Sequence, residues 1–189
     1  MQAGVYDKFL AKISEKAKNR KLGDPLSAGI EQGPLVDDIQ FKKVLGFIES
    51  GKKEGAKCTA GGKRFGTKGY FVEPTIFGDV QDNMEIAREE IFGPVLSVLK
   101  FDTTEEVIER ANKSIYGLAA GICSRDVGKV VRVASQLRAG TVWINGAYNS
   151  LDAAQAFGGF KQSGIGRELG AQGLDNYLEV KTVVIPLDK

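Results

Sequence analysis

Along the first half of the chain, apolar positions recur every three or four residues in two separate runs. Tyr6, Phe9, Leu10, Ile13 and Ala17 fall among lysines and glutamates, which puts them on one helical stripe. The spacing predicts a helix over residues 6–19, closing near Gly23. Its basic last turn, Lys18-Asn-Arg-Lys21, suits the negative end of the helix dipole better than a phosphate patch. Asp24-Pro25 and Gly33-Pro34 punctuate a loop. Asp37 or Asp38 then caps a second amphipathic helix that carries Ile39, Val44, Leu45 and Ile48 and ends near Gly55. Past that point the period changes. Residues 56–60 read as a short strand, Gly61-Gly62 as a turn, 70–77 as a strand whose Pro74 points to a sheet edge, and 94–101 as a buried strand.

From residue 94 onward, strand, helix, strand, helix and strand alternate. Thr103-Thr-Glu-Glu106 has capping-box spacing and opens a helix to about residue 114, with Val107, Ile108 and Ala111 turned inward. Residues 118–124 read as an apolar strand, 127–138 as a helix closed by Gly140 at its C-cap, and 141–145 as a strand. These lengths suit right-handed crossovers and a mostly parallel open sheet flanked by helices, so the fold class is α/β. Residues 146–166 are glycine-rich with little periodicity, and a loop of that length is usually functional. A last helix over 167–178 precedes a terminal strand over 180–187.

Composition narrows the chemistry. The 189 residues contain no histidine and only two cysteines, Cys58 and Cys123. That removes Ser-His-Asp and Cys-His catalysis and every histidine-containing zinc site, and no metal site is expected. The cysteines lack C-x-x-C spacing and lie in apolar strands, so they read as buried, unreactive thiols of a reducing, cytoplasmic protein. With 26 Lys and Arg against 24 Asp and Glu, no net field favours nucleic acid or an anionic membrane. No stretch has the length and apolarity of a membrane span or a leader peptide. Glycine supplies 24 residues, nearly twice the usual share of about 7%, which implies many turns and close backbone approaches.

Two segments tempt a chemical reading. Gly164-Ile-Gly166-Arg-Glu-Leu-Gly170 is rich in glycine before a predicted helix, but it does not follow a strand directly and its glycine spacing departs from a dinucleotide fingerprint, so a structural turn is preferred. Arg88-Glu-Glu-Ile-Phe-Gly-Pro94 places two carboxylates and an aromatic before a glycine-proline turn. A carboxylate there could accept both hydroxyls of a ribose, although periodicity alone favours a solvated helix end. Arg167, Glu168 and Glu179 could form a charge cluster tying down the last helix.

Six motifs in order carry a resemblance: Glu89-Glu-Ile-Phe-Gly-Pro94, Tyr116-Gly-Leu-Ala-Ala120, Ala139-Gly-Thr-Val-Trp-Ile-Asn145, Phe157-Gly-Gly-Phe-Lys161 with Ser163-Gly164, Gly166-Arg-Glu-Leu-Gly170, and Tyr177 with Glu179-Val-Lys-Thr182. Together they resemble the NAD(P)-dependent aldehyde dehydrogenase superfamily. The resemblance implies that residues 1–189 form a single truncated catalytic domain, with 180–187 as an oligomerisation strand. It implies that Glu90 binds the nicotinamide ribose, that Phe92 packs beside it, and that Gln40 and Lys43 contact the cofactor, NAD or NADP, more loosely. Phe157 corresponds to an aromatic wall of the aldehyde tunnel, and Leu151 stands near a second pocket aromatic.

In the family, the thiol nucleophile and the general-base glutamate precede the first residue that aligns here, as does most of the cofactor domain. Cys58 and Cys123 match no catalytic position. Aldehyde oxidation needs a thiolate and a positioned nicotinamide, so the chain by itself is not expected to oxidise aldehydes and is expected to act through a homo-oligomer or partner interface. One alternative is a repurposed non-redox enzyme, an isomerase or cyclase, using the residual tunnel with Asp152, Tyr148 and Glu90 as acid-base groups in a dry pocket. Another is completion in trans by a separate N-terminal half supplying the thiol and the cofactor domain.

Overall fold

Strand β2 (Thr75–Gly78) organises the first part of the molecule, because alternate residues of a strand face opposite ways. Ile76 joins a cluster with Tyr6, Leu10, Ala17 and Val98, whereas its neighbour Phe77 joins one with Phe41, Val44, Ile48, Ile86 and Ile91. The first cluster is the stripe of α1 (Ala3–Lys18) and the second is that of α2 (Asp38–Lys53). The sheet is therefore buried on both faces by helices, the α/β arrangement that the sequence predicts. In the computed structural model, residues 1–146 and 152–186 are described. The chain divides into two compact units, 1–103 and 104–189.

In the first unit the strand order is β1 (Lys57–Ala60), β2, β3 (Val95–Ser97), with β1 antiparallel and β3 parallel to β2. A single helical turn, α3 (Glu85–Arg88), precedes the loop into β3. In the second unit α4 (Thr104–Asn112) is followed by the parallel pair β4 (Ala119–Ile122) and β5 (Thr141–Ile144), joined by α5 (Val127–Gln136). Two short 3₁₀ segments, Lys161–Ser163 and Ala171–Tyr177, follow. Among the described residues no helix is long and apolar enough to cross a membrane.

Several local expectations are corrected. Pro74 does not mark an edge strand: β2 is the centre of its sheet, and Pro74 lies one residue before the ladder begins, where its missing N–H is not required. Gly61-Gly62 is a bend within the antiparallel pairing, because Lys63 still pairs with Glu73; the chain reverses at residues 66–69, where the Arg64 guanidinium donates to Thr67 O and Gly69 O. The long buried strand expected over 94–101 shortens to three residues, Val95 and Ser97 half-buried and Leu96 exposed, because β3 has a neighbour on one side only within its sheet. Ile39 on α2 and Ala111 on α4 face outward; Phe41, four residues from Leu45, takes the inward place of Ile39. Cys123 lies just beyond the end of β4 and is exposed.

The second unit explains part of the glycine content. Helix α5 ends at Gln136 with Leu137 as its cap, so Gly140 is not the C-cap residue. A Cβ on Gly140 would lie 1.6 Å from the carbonyl oxygen of Gly158, so two backbones meet there with no room for a side chain. The predicted helix over 167–178 is replaced by the later 3₁₀ turn, since Leu169 and Gly170 both have left-handed backbones (φ +59° and +55°) that an α-helix cannot include. Residues 178–186 form no strand within the chain, and residue 187 lies outside the described residues.

Candidate functional site

The residues with the strongest chemical implication meet in the first unit, at the junction of α2 and the loop before β3. Asp37 is the N-cap of α2, and its carboxylate accepts from the Gln40 backbone N–H at 2.8 Å. This cap fixes the first turn and so fixes where the Gln40 side chain starts. From there the Gln40 side-chain amide donates to the carbonyl oxygens of Ile91, at 3.2 Å, and Phe92, at 2.7 Å.

The loop is held by packing as well. Ile91 inserts into the α2 cluster. Gly93 lies so close to α2 that an added Cβ would sit 2.5 Å from a Val44 methyl. Between these two fixed points stands Phe92, with a left-handed backbone (φ +54°) and a ring that is 73% exposed. A bulky residue rarely adopts that conformation, and such residues cluster at functional sites. Glu90, two residues earlier, is exposed, and among the described residues nothing pairs with its carboxylate. An anchored backbone thus presents a carboxylate and an aromatic ring to solvent.

Lys43 is exposed one turn along α2 from Gln40, with its ammonium 5.8 Å from the centre of the Phe47 ring. In the second unit Phe157 is half-buried, and its backbone exchanges two 2.7 Å hydrogen bonds with Glu168. Asp152 is exposed, and its carboxylate accepts from the Ala154 N–H at 2.9 Å as a turn cap. Neither Glu90 nor Asp152 is enclosed in a dry pocket. Tyr148 and Leu151 lie outside the described residues. The Arg167 guanidinium donates to the carbonyls of Gly159 and Gly166 and stacks 5.2 Å from the Phe160 ring centre, so its described partners are carbonyls and an aromatic instead of Glu168 or Glu179. The Cys58 thiol donates weakly to Ala60 O at 3.3 Å, and burial pushes its pKa up, as expected for an unreactive thiol.

The family resemblance pointed to Glu90 and Phe92 but gave Gln40 only a loose contact with the cofactor, and did not single out Gly93. The clue to both was the Asp37 cap followed by Gln40 and Val44 at helical spacing, but their partner lies some 50 residues away in the chain.

The family model for the aldehyde dehydrogenase family matches residues 1–183. The chain belongs to the aldehyde dehydrogenase family. It is 55% identical over 183 residues to aldehyde dehydrogenase 1A1 of Gallus gallus, covering 97% of this chain and 36% of that protein. It is 52% identical to the mitochondrial aldehyde dehydrogenase of Homo sapiens, covering 98% of this chain and 36% of that one. With cytosolic aldehyde dehydrogenase 2 of Macroscelides proboscideus the identity is 51%, over all of this chain and 78% of the relative. Among solved structures, an NAD⁺ complex of the aldehyde dehydrogenase of Bacillus cereus superposes with a TM-score of 0.92 at 54% identity, covering 99% of this chain and 38% of that one. Apart from the Macroscelides protein, this chain therefore spans little more than a third of the length of these relatives.

Proposed function

We propose that this chain supplies the nicotinamide-ribose side of the cofactor site of an aldehyde dehydrogenase and does not oxidise aldehydes by itself. The observation that carries this reading is the anchored loop that exposes Glu90 and Phe92 together. The donor set fits a ribose: a carboxylate with no described partner can accept from two vicinal hydroxyls, charge-assisted bonds roughly twice as strong as neutral ones, while the Phe92 ring covers the apolar face. When bound, the nicotinamide supplies the hydride acceptor. The chain's own part is to hold and orient the ribose and to exclude water on one side. The thiol nucleophile is assigned to the stretch of the relatives that this chain does not span, and neither Cys58, whose thiol is held protonated by burial, nor Cys123 substitutes for it.

Titration with NAD and with NADP tests this. Saturable binding in the millimolar range, lost in Glu90→Gln, is the expected result, together with no NADH formed from an aldehyde by the chain alone. Turnover by the unmixed chain would refute the assignment of the nucleophile. Turnover that appears only on mixing with a chain carrying the remaining portion of a relative would support completion in trans.

A second observation supports a partner interface. Val180, Val183, Val184 and Ile185 are exposed and make no strand within the chain. A run of β-branched residues whose backbone is unpaired suits strand addition to a second copy. Native mass measurement at micromolar concentration should give a homo-oligomer, and Val183→Lys/Ile185→Lys should give a monomer. A monomeric parent chain would refute the interface.

A further inference from the structure

We infer that Gln40 is a positioning residue: it clamps the backbone carbonyls of Ile91 and Phe92 and so sets the pose of Glu90 and the Phe92 ring, without itself donating to the ligand. The inference rests on the ribose reading of this loop, but its main evidence is independent of any ligand. A primary amide has two N–H donors. Both are engaged in this structure, one by Ile91 O at 3.2 Å and one by Phe92 O at 2.7 Å. With two carbonyls as neighbours, the side-chain nitrogen and not the oxygen must face them. No donor remains for a cofactor hydroxyl.

The clamp is also mechanically well founded. Its base is fixed by the Asp37 cap at 2.8 Å. Its targets flank a residue whose backbone is left-handed at φ +54°, a state that a phenylalanine leaves unless its surroundings over-determine it. Ile91, 8% exposed, holds the loop from one side. Gly93 against Val44 holds it from the other. The carbonyls of 91 and 92 are the groups that would swing if Phe92 relaxed to an ordinary backbone, and these are the two that Gln40 binds.

Gln40→Glu and Gln40→Leu separate positioning from direct contact. Glutamate keeps an acceptor oxygen at the same reach but turns a carboxylate on the two carbonyls, so a direct acceptor contact to the ligand would survive in it while the clamp would not. Backbone ¹⁵N relaxation without ligand is the first readout. The wild-type amides of Phe92 and Gly93 should have order parameters of about 0.85, falling below about 0.6 in both variants, with α2 amides 44–51 unchanged. Unchanged loop order in both variants overturns the inference. The second readout is the NAD titration, in which both variants should bind at least tenfold more weakly. A Gln40→Glu protein with a loosened loop but wild-type affinity also overturns it. If the wild-type chain binds no NAD, the ribose reading fails and the relaxation result alone decides the clamp.

Discussion

Replacing Gly93 by alanine tests whether the loop before β3 is set by contact with α2. Gly93 is not one of the left-handed glycines, so its backbone accepts alanine. The obstacle is steric. The new Cβ would lie 2.5 Å and 3.0 Å from the two methyl carbons of Val44, which is wholly buried and cannot turn aside. Carbon atoms prefer about 3.5–4.0 Å, so helix and loop must separate by roughly 1 Å. Overpacking of that size costs about 1–3 kcal/mol, or about 2–12 °C in melting temperature for a chain of this length. Val44→Ala costs about 2–3 kcal/mol by itself through lost burial and the cavity left behind. In that background the Gly93 substitution should cost under about 0.5 kcal/mol, because the methyls it would strike are gone. Urea unfolding of the four proteins, followed by circular dichroism, gives the coupling energy, expected at about 0.5–3 kcal/mol. An equal cost of Gly93→Ala in both backgrounds would refute the steric account and leave the close approach of loop and helix without consequence.

Other predictions concern the core and the thiols. Tyr6 is buried on the inner face of α1, and its hydroxyl accepts from the Asp79 N–H at 2.6 Å and donates to the Asp79 carboxylate at 3.2 Å, where Asp79 has a left-handed backbone. Tyr6→Phe orphans that N–H and should cost about 1–3 kcal/mol in urea unfolding; a loss under about 0.3 kcal/mol would contradict the role. Burial, with help from the Asp79 charge, raises the Tyr6 pKa. The native state therefore holds this proton where the unfolded chain has lost it, so stability is intact below about pH 10 and falls as pH rises above it. Thermal scans between pH 9 and 11 should show a steeper decline in the parent than in Tyr6→Phe. Cys58, also raised by burial, adds to the decline from its own ordinary range upward. With a thiol-specific chromogenic reagent at neutral pH, exposed Cys123 should react at least tenfold faster than Cys58; equal rates would contradict the burial of Cys58.

Helices α1, α2, α4 and α5 were legible because their signals are local, whereas the helix expected over 167–178 was not formed. Asp37 caps α2, Asp126 caps α5 through the Lys129 N–H at 2.9 Å, and a 3.6-residue period of apolar side chains fills both faces of β2. What could not be read is set by partners distant in sequence. Pro74 argued for an edge until the pairing of β2 on both sides was known. Gly140 looked like a helix cap, and only the Gly158 backbone explains it. The apolar run at 180–185 reads as a strand, yet a strand needs a neighbour, and none pairs with it among the described residues. In the candidate site, the resemblance pointed to Glu90 and Phe92, while the contact of Gln40 with residues 91 and 92 spans some 50 residues and no periodicity encodes it.

The loop carrying Glu90 and Phe92 is proposed as a ribose-binding surface of an aldehyde dehydrogenase. An NMR titration of the ¹⁵N-labelled chain with NAD tests it most directly, since weak binding is mapped residue by residue. Saturable shifts confined to residues 36–43 and 89–94 are expected in the parent chain, with their loss in Glu90→Gln and the rest of the spectrum unchanged. Shifts that lie elsewhere, or that persist undiminished without the Glu90 carboxylate, would contradict it.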